Sequence, residues 1–250
     1  PQHRFGVVID ASSDTIACGW MLGFGDESDG VSSRKAAERP FFKPVSLDPR
    51  LARLAVNLAS GPVDKGATID VMTGTGGFLI EAALSNRIAV GLDLDPMMVE
   101  GTIQNLEWAL SAEGKTDHSA MVLAGDATKL SEALSELGAP ICGFVLDPPY
   151  GRNSQGSLEP MALLENVLTS AHEVAHDGAG LVLILPIHPM GEHPDEPVPI
   201  EADINLLHGD WQGIERALRN AHWSVQNRWV EHVHASLSRL ILHATAAPQD

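Results

Sequence analysis

From about residue 46 onward, short β-branched runs alternate with longer stretches of helical period, the pattern of repeated β–α units building a parallel sheet. The strand runs are Thr68–Val71, Ile88–Asp93, Ala120–Ala124, Ile141–Asp147 and Gly180–Leu185. Helical period between them predicts helices over 48–59, 77–86, 96–112, 128–137 and 160–176. A proline-rich loop follows, then a helix near 211–221 and two long alternating runs, Trp223–His232 and Ser236–Ala244. The C-terminal pair reads as an antiparallel hairpin on a mostly parallel sheet. Residues 4–24 hold two apolar runs around a polar break, a second hairpin, and Gly25–Ser33 is linker-like in its Gly, Ser and Asp content. The division expected is thus 1–33, hairpin and linker, and 34–247, an α/β domain with helices on both faces of its sheet.

Composition narrows the function classes. No apolar run approaches the ~18 residues of a membrane span. The two cysteines, Cys18 and Cys142, lack metal-type spacing and suit a reduced, cytoplasmic protein. A formal charge of −17 argues against a surface that grips nucleic acid all over. Basic residues cluster, however. Arg34, Lys35, Arg39, Lys43, Arg50 and Arg53 lie within twenty residues that hold two acids, Glu38 and Asp48, a local positive stripe on an acidic body, which chance clustering on a solvated loop and helix would also give.

Candidate chemistry sits where strands end. The run ending at Asp70 turns through Thr73-Gly74-Thr75-Gly76-Gly77 directly into a helical segment, and glycines at such a turn let backbone approach a ligand closely. The next run ends in Asp93, 23 residues on, where a carboxylate can accept from both hydroxyls of a ribose. The third run leads to Gly125-Asp126-Ala127, whose carboxylate could take an adenine amino group. Each acid alone could be a helix cap, but three in succession line one crevice. A nicotinamide dinucleotide fits less well, because the turn is not Gly-x-Gly-x-x-Gly.

The fourth run ends in Asp147-Pro148-Pro149-Tyr150-Gly151-Arg152, the most specific signal in the chain. An exocyclic base amine is a poor nucleophile because its lone pair is delocalised into the ring. Asp147 and the Pro148 carbonyl can accept its two N–H groups and favour a tetrahedral nitrogen. Consecutive prolines stiffen the loop, and Tyr150 offers a stacking face for a flipped base.

Together these residues resemble class I S-adenosylmethionine-dependent methyltransferases with an Asp-Pro-Pro-Tyr motif. Glu38–Pro44 with Leu47–Arg53, Asp93–Gly101, Gly151-Arg152 and His234–Arg239 are similar to segments of the archaeal tRNA guanosine-10 N2-methyltransferases, so the resemblance covers about 34–244. It implies a Rossmann-like fold, S-adenosyl-L-methionine as cofactor and methylation of a guanine N2 in tRNA. It implies that Phe42, Lys43 and Pro44 help close over the cofactor, that Asp93 holds its ribose, and that Asp147–Tyr150 bind the amine. Arg39, Arg50, Arg53, Arg152 and Arg239 are then the expected RNA contacts. A THUMP-type RNA-binding region upstream and, as for some related enzymes, a small activator subunit are implied partners. One departure stands out: where the family usually carries Asp-Pro-Phe-Cys before the glycines, this chain has Asp70-Val71-Met72-Thr73.

Three other readings compete. Adenine-N6 methylation of DNA or RNA uses the same motif. A non-catalytic RNA scaffold would not need these acids. His172-Glu173-Val174-Ala175-His176 matches the zinc-protease pattern, but its helix is already accounted for by buried Leu164, Val167, Leu168, Ala171 and Ala175, so no metal is expected.

Overall fold

The structure, a computed structural model, describes residues 4–10, 15–21, 31, 33–43, 47–62, 66–115, 119–148, 159–190 and 197–248. It divides into two compact units, Pro1–Arg34 and Lys35–Asp250. In the first, β1 (Arg4–Asp10) and β2 (Thr15–Met21) pair antiparallel. Most of the linker-like stretch 25–33 falls outside the described residues.

The second unit is built on a seven-stranded sheet. Its strands are β3 (Ala67–Asp70), β4 (Ile88–Asp93), β5 (Ala120–Ala124), β6 (Ile141–Leu146), β7 (Gly180–Ile187), β8 (Trp223–His234) and β9 (Leu237–Ala246). Their order is β5-β4-β3-β6-β7-β9-β8, parallel through β7 and antiparallel at β9 and β8. The mostly parallel sheet with an antiparallel C-terminal hairpin is therefore as the periodicity predicts, and its strand order is the Rossmann-like one that the resemblance implies. The hairpin's later strand lies inside, against β7, and β8 forms the edge.

Helices α1 (Pro49–Ser60), α2 (Gly77–Leu84) and α3 (Pro96–Ala112) cover one face; α4 (Leu130–Ala133), α5 (Pro160–Val174) and α6 (Trp211–Asn220) cover the other. Strand alternation feeds both cores: Phe144, Leu146, Leu181 and Leu183 point to the α5–α6 side, and Val145, Val182 and Ile184 to the α1–α3 side. Helix starts follow local chemistry. Asp48 accepts from the Arg50 amide and Asp95 from the Met97 amide, each with proline as first helical residue. The helix expected over 128–137 is instead a 3₁₀ turn, Ala127–Lys129, followed by the four residues of α4, whose first amide, Leu130, lacks an acceptor within the helix and donates to Ser170 Oγ (2.7 Å) on α5. Among the described residues no helix is long and apolar enough to cross a membrane.

Strand order reverses between β3 and β6, so the crevice beyond their carboxyl ends is where such sheets bind ligands. Asp70 ends β3 beside Val145, and Asp147 follows the last residue of β6.

Candidate functional site

The turn after β3 is pinned from several sides. The Thr73 amide donates to Leu92 O (2.7 Å) and the Gly76 amide to Thr73 O (2.7 Å). Gly74 (φ 52°) and Gly76 (φ 81°) adopt the left-handed region that side chains disfavour. A Cβ at Gly74 would meet nothing within 4 Å, so the backbone there faces open space a ligand can enter. Thr73, at a position where the chain departs from its look-alikes, donates its hydroxyl to Asp70 Oδ2 (3.0 Å), while Val71 joins the core.

Asp70 is buried, and Oδ1 has no hydrogen-bond partner among the described residues. Loss of water, with Asp93 and Asp147 nearby adding repulsion, pushes its carboxyl up to about 7. Asp93 sits at the end of β4 and takes two backbone amides, Gly74 N on Oδ2 and Asp95 N on Oδ1, both at 2.9 Å. Each carboxylate oxygen keeps further acceptor capacity, so a ribose diol can still donate to it. Burial raises its pKa, partly offset by those amides. Asp126 caps the 3₁₀ turn through Oδ1, which accepts from the Thr128 amide (2.9 Å) and hydroxyl (2.7 Å); Ala127 beside it is buried. Asp147 is pushed up to about 6 by burial, with Arg239 pulling it back down. Pro148 is buried, and Pro149, Tyr150 and Arg152 lie outside the described residues, as does Pro44. Phe42 is 51% exposed, and Lys43 Nζ stands 5.6 Å from the centre of the Phe41 ring.

Open space at a glycine turn, a carboxylate suited to a ribose and a buried acid with an unused oxygen suit a nucleoside carrying a cationic sulfonium. The residues present therefore fit S-adenosyl-L-methionine.

Among the expected RNA contacts, Arg39 and Arg53 are engaged within the fold. Arg39 is 4% exposed and points inward, its Nη1 3.4 Å from Thr75 Oγ1 and close to Gly77, so it does not face phosphate. Arg53 is committed to Glu81 on α2 through Nε (2.9 Å) and Nη2 (2.8 Å). Glu81 is itself buried, so releasing Arg53 to a phosphate would leave a buried carboxylate uncompensated. Arg34 is buried, whereas Arg50 stays exposed. Arg239 pairs with Glu231 (3.2 Å) on the β8–β9 hairpin and acts electrostatically on Asp147.

Pattern reading missed Gly101, Thr102 and Asn105, whose shared face of α3 holds both the glycine turn and the segment before α1. The available signal was Thr102 and Asn105 interrupting an otherwise apolar stripe. The zinc-protease pattern is broken by geometry. Helix α5 ends at Val174 with Ala175 extended, so His176 leaves the face of His172, which packs against Trp223 and His222.

Comparison with known proteins bears on this arrangement. The family described as UPF0020: RMKL-like, methyltransferase domain matches residues 36–193. The tRNA (guanine(10)-N2)-dimethyltransferase of Pyrococcus abyssi is 38% identical over 181 residues, 69% of this chain and 52% of that protein. The protein of the same name from Methanothermobacter thermautotrophicus is 39% identical over 150 residues, 60% of this chain and 41% of that protein. The chain spans about half the length of the curated relatives it matches. TrmN from Thermus thermophilus shares the fold, with a TM-score of 0.56 at 17% identity over 92% of this chain and 56% of that one.

Proposed function

The chain belongs to the RMKL-like methyltransferase domain family, and on that premise we propose that residues 34–247 transfer a methyl group from S-adenosyl-L-methionine to the exocyclic N2 of a guanine in tRNA. The observation that carries this reading is the juxtaposition at the switch point. Asp147 and Pro148 leave β6 directly beside the strand whose glycine turn offers the ligand space. The two archaeal relatives are named for guanine-N2 methylation, which supports that atom as the acceptor.

When bound, the cofactor supplies an electrophilic methyl on a sulfonium. Glycines 74, 76 and 77 with Thr73 and Asp70 shape its floor, Asp93 accepts from the ribose, Asp126 and Ala127 border the base, and Phe42, Lys43 and Pro44 form the cover. Asp147, ionised at neutral pH, accepts one N–H of the target amine, and the Pro148 carbonyl accepts the other. The roles expected from the sequence for Pro149, stiffening the motif, and for Tyr150, stacking on the base, belong to the same proposal. Positioning and acceptor preorganisation supply most of the rate. An upstream THUMP-type region, a small activator subunit and a cytoplasmic setting belong to the same proposal.

Nucleoside mass spectrometry of tRNA incubated with the enzyme and isotope-labelled cofactor tests it. Labelled N2-methylguanosine or N2,N2-dimethylguanosine is the expected product. Labelled N6-methyladenosine instead would transfer the site to adenine chemistry.

A further inference from the structure

Irregular backbone at a ligand crevice leaves amides and carbonyls that no ladder satisfies, and a buried side chain must take them. Here that side chain is Asn105, fully buried on α3. Its Oδ1 accepts from the Phe41 amide (2.9 Å). Its Nδ2 donates to Phe41 O (2.8 Å) and to Thr75 O (2.9 Å). One carboxamide thus bonds the backbone on both sides of Phe41 and the middle of the glycine turn, 64 and 30 residues away.

Two neighbours on the same helical face complete the arrangement. Thr102, also fully buried, donates its hydroxyl to Gly74 O (2.8 Å) and packs its methyl where a Gly76 side chain would be, 2.8 Å away. Gly101 leaves room for the Phe41 ring, which lies 2.2 Å from where a Cβ would stand. Arg39 adds a bond from the same segment to Thr75 Oγ1 (3.4 Å). The segment so held presents Phe42, half exposed, as its next side chain.

We infer that Asn105 is a positioning residue for cofactor binding: from α3 it latches residues 39–43 to the glycine turn, so that the cover and floor of the crevice order as one unit. Being fully buried, Asn105 does not itself reach the ligand. Its contribution is preorganisation, because a cover already tied to the floor loses less freedom when the ligand arrives. The inference rests on the cofactor reading of the glycine turn.

Calorimetry with S-adenosylhomocysteine tests it on this chain, comparing wild type, Asn105→Ala, Thr102→Val and Gly101→Ala, with Asp93→Ala as the reference for the cofactor site. Loss of hydrogen bonds of ordinary strength predicts affinity about 10-fold weaker for Asn105→Ala and several-fold weaker for Thr102→Val. Gly101→Ala keeps every hydrogen-bonding group but displaces the Phe41 ring, and must show the same loss. Should Asn105→Ala fail to fold, the other two variants carry the test. Hydrogen exchange should quicken together at residues 39–43 and 74–76 in Asn105→Ala. With tRNA as acceptor, the cofactor KM should rise while kcat changes less than about 2-fold, as expected when the reacting groups are untouched. Wild-type binding with undiminished affinity in folded variants overturns the latch alone. So does exchange that quickens in only one segment, or a fall in kcat at unchanged KM. A wild-type chain that does not bind S-adenosylhomocysteine overturns the cofactor reading, and the latch with it.

Discussion

Among single residues, the acids divide by what their oxygens already do. Asp126 spends one oxygen capping a turn, Asp93 is braced by two amides, and Asp70 faces inward to Thr73. In the proposed reaction Asp147 is the acid that meets the amine, and its environment sets when it can. Burial raises its pKa to about 6 against the pull of Arg239, so it is protonated below that value and an acceptor above it. The rate of methyl transfer should therefore rise with pH through about 6 and level off beyond 7, as read from kcat against pH. Asp147→Ala should lower kcat by at least ~100-fold with S-adenosylhomocysteine affinity held, by calorimetry. The motif made Asp147 visible in the sequence. The different duties of the other three acids were not visible, since each depends on which amide or hydroxyl folds against it.

Elements decide which arginines remain available. Helix α1 sets Arg53 against Glu81 of α2, with Glu81 1% exposed and Arg53 one-third exposed. Reversing Arg53 to glutamate would leave two carboxylates facing each other, one without water. Urea denaturation should show Arg53→Glu losing about 2 kcal/mol or more, while Arg50→Glu, on the exposed side, stays within ~0.5 kcal/mol of wild type. Periodicity identified both helices because their apolar spacing is local. It gave no sign of the ion pair, whose members are 28 residues apart. The same limit holds for the short helix after β5, whose first amide is satisfied by a hydroxyl on α5 forty residues away.

For the molecule as a whole, a charge of −17 leaves little to hold a polyanion. With Arg34 and Arg39 buried, Arg53 paired and Lys43 half-buried over the Phe41 ring, the exposed cations of the stripe are Lys35 and Arg50. Filter binding of tRNA to this chain across a salt series should give weak affinity and a log–log slope of about −2 to −3, and Arg50→Glu should make the slope about one unit shallower. A slope steeper than about −6 would restore the full stripe as the binding surface. Sequence by itself determined the element types, the parallel sheet with its antiparallel end, and the carboxylates at successive strand ends. Those features follow from spacings of two to four residues and from glycine or proline at turns. Tertiary structure decided the strand order that sets Asp147 beside the glycine turn, the withdrawal of Arg39 from the surface, the pairing of Arg53 with Glu81, and the hold of Asn105 on Phe41 and Thr75. These depend on partners far apart in the chain, which meet only after both faces of the sheet are buried.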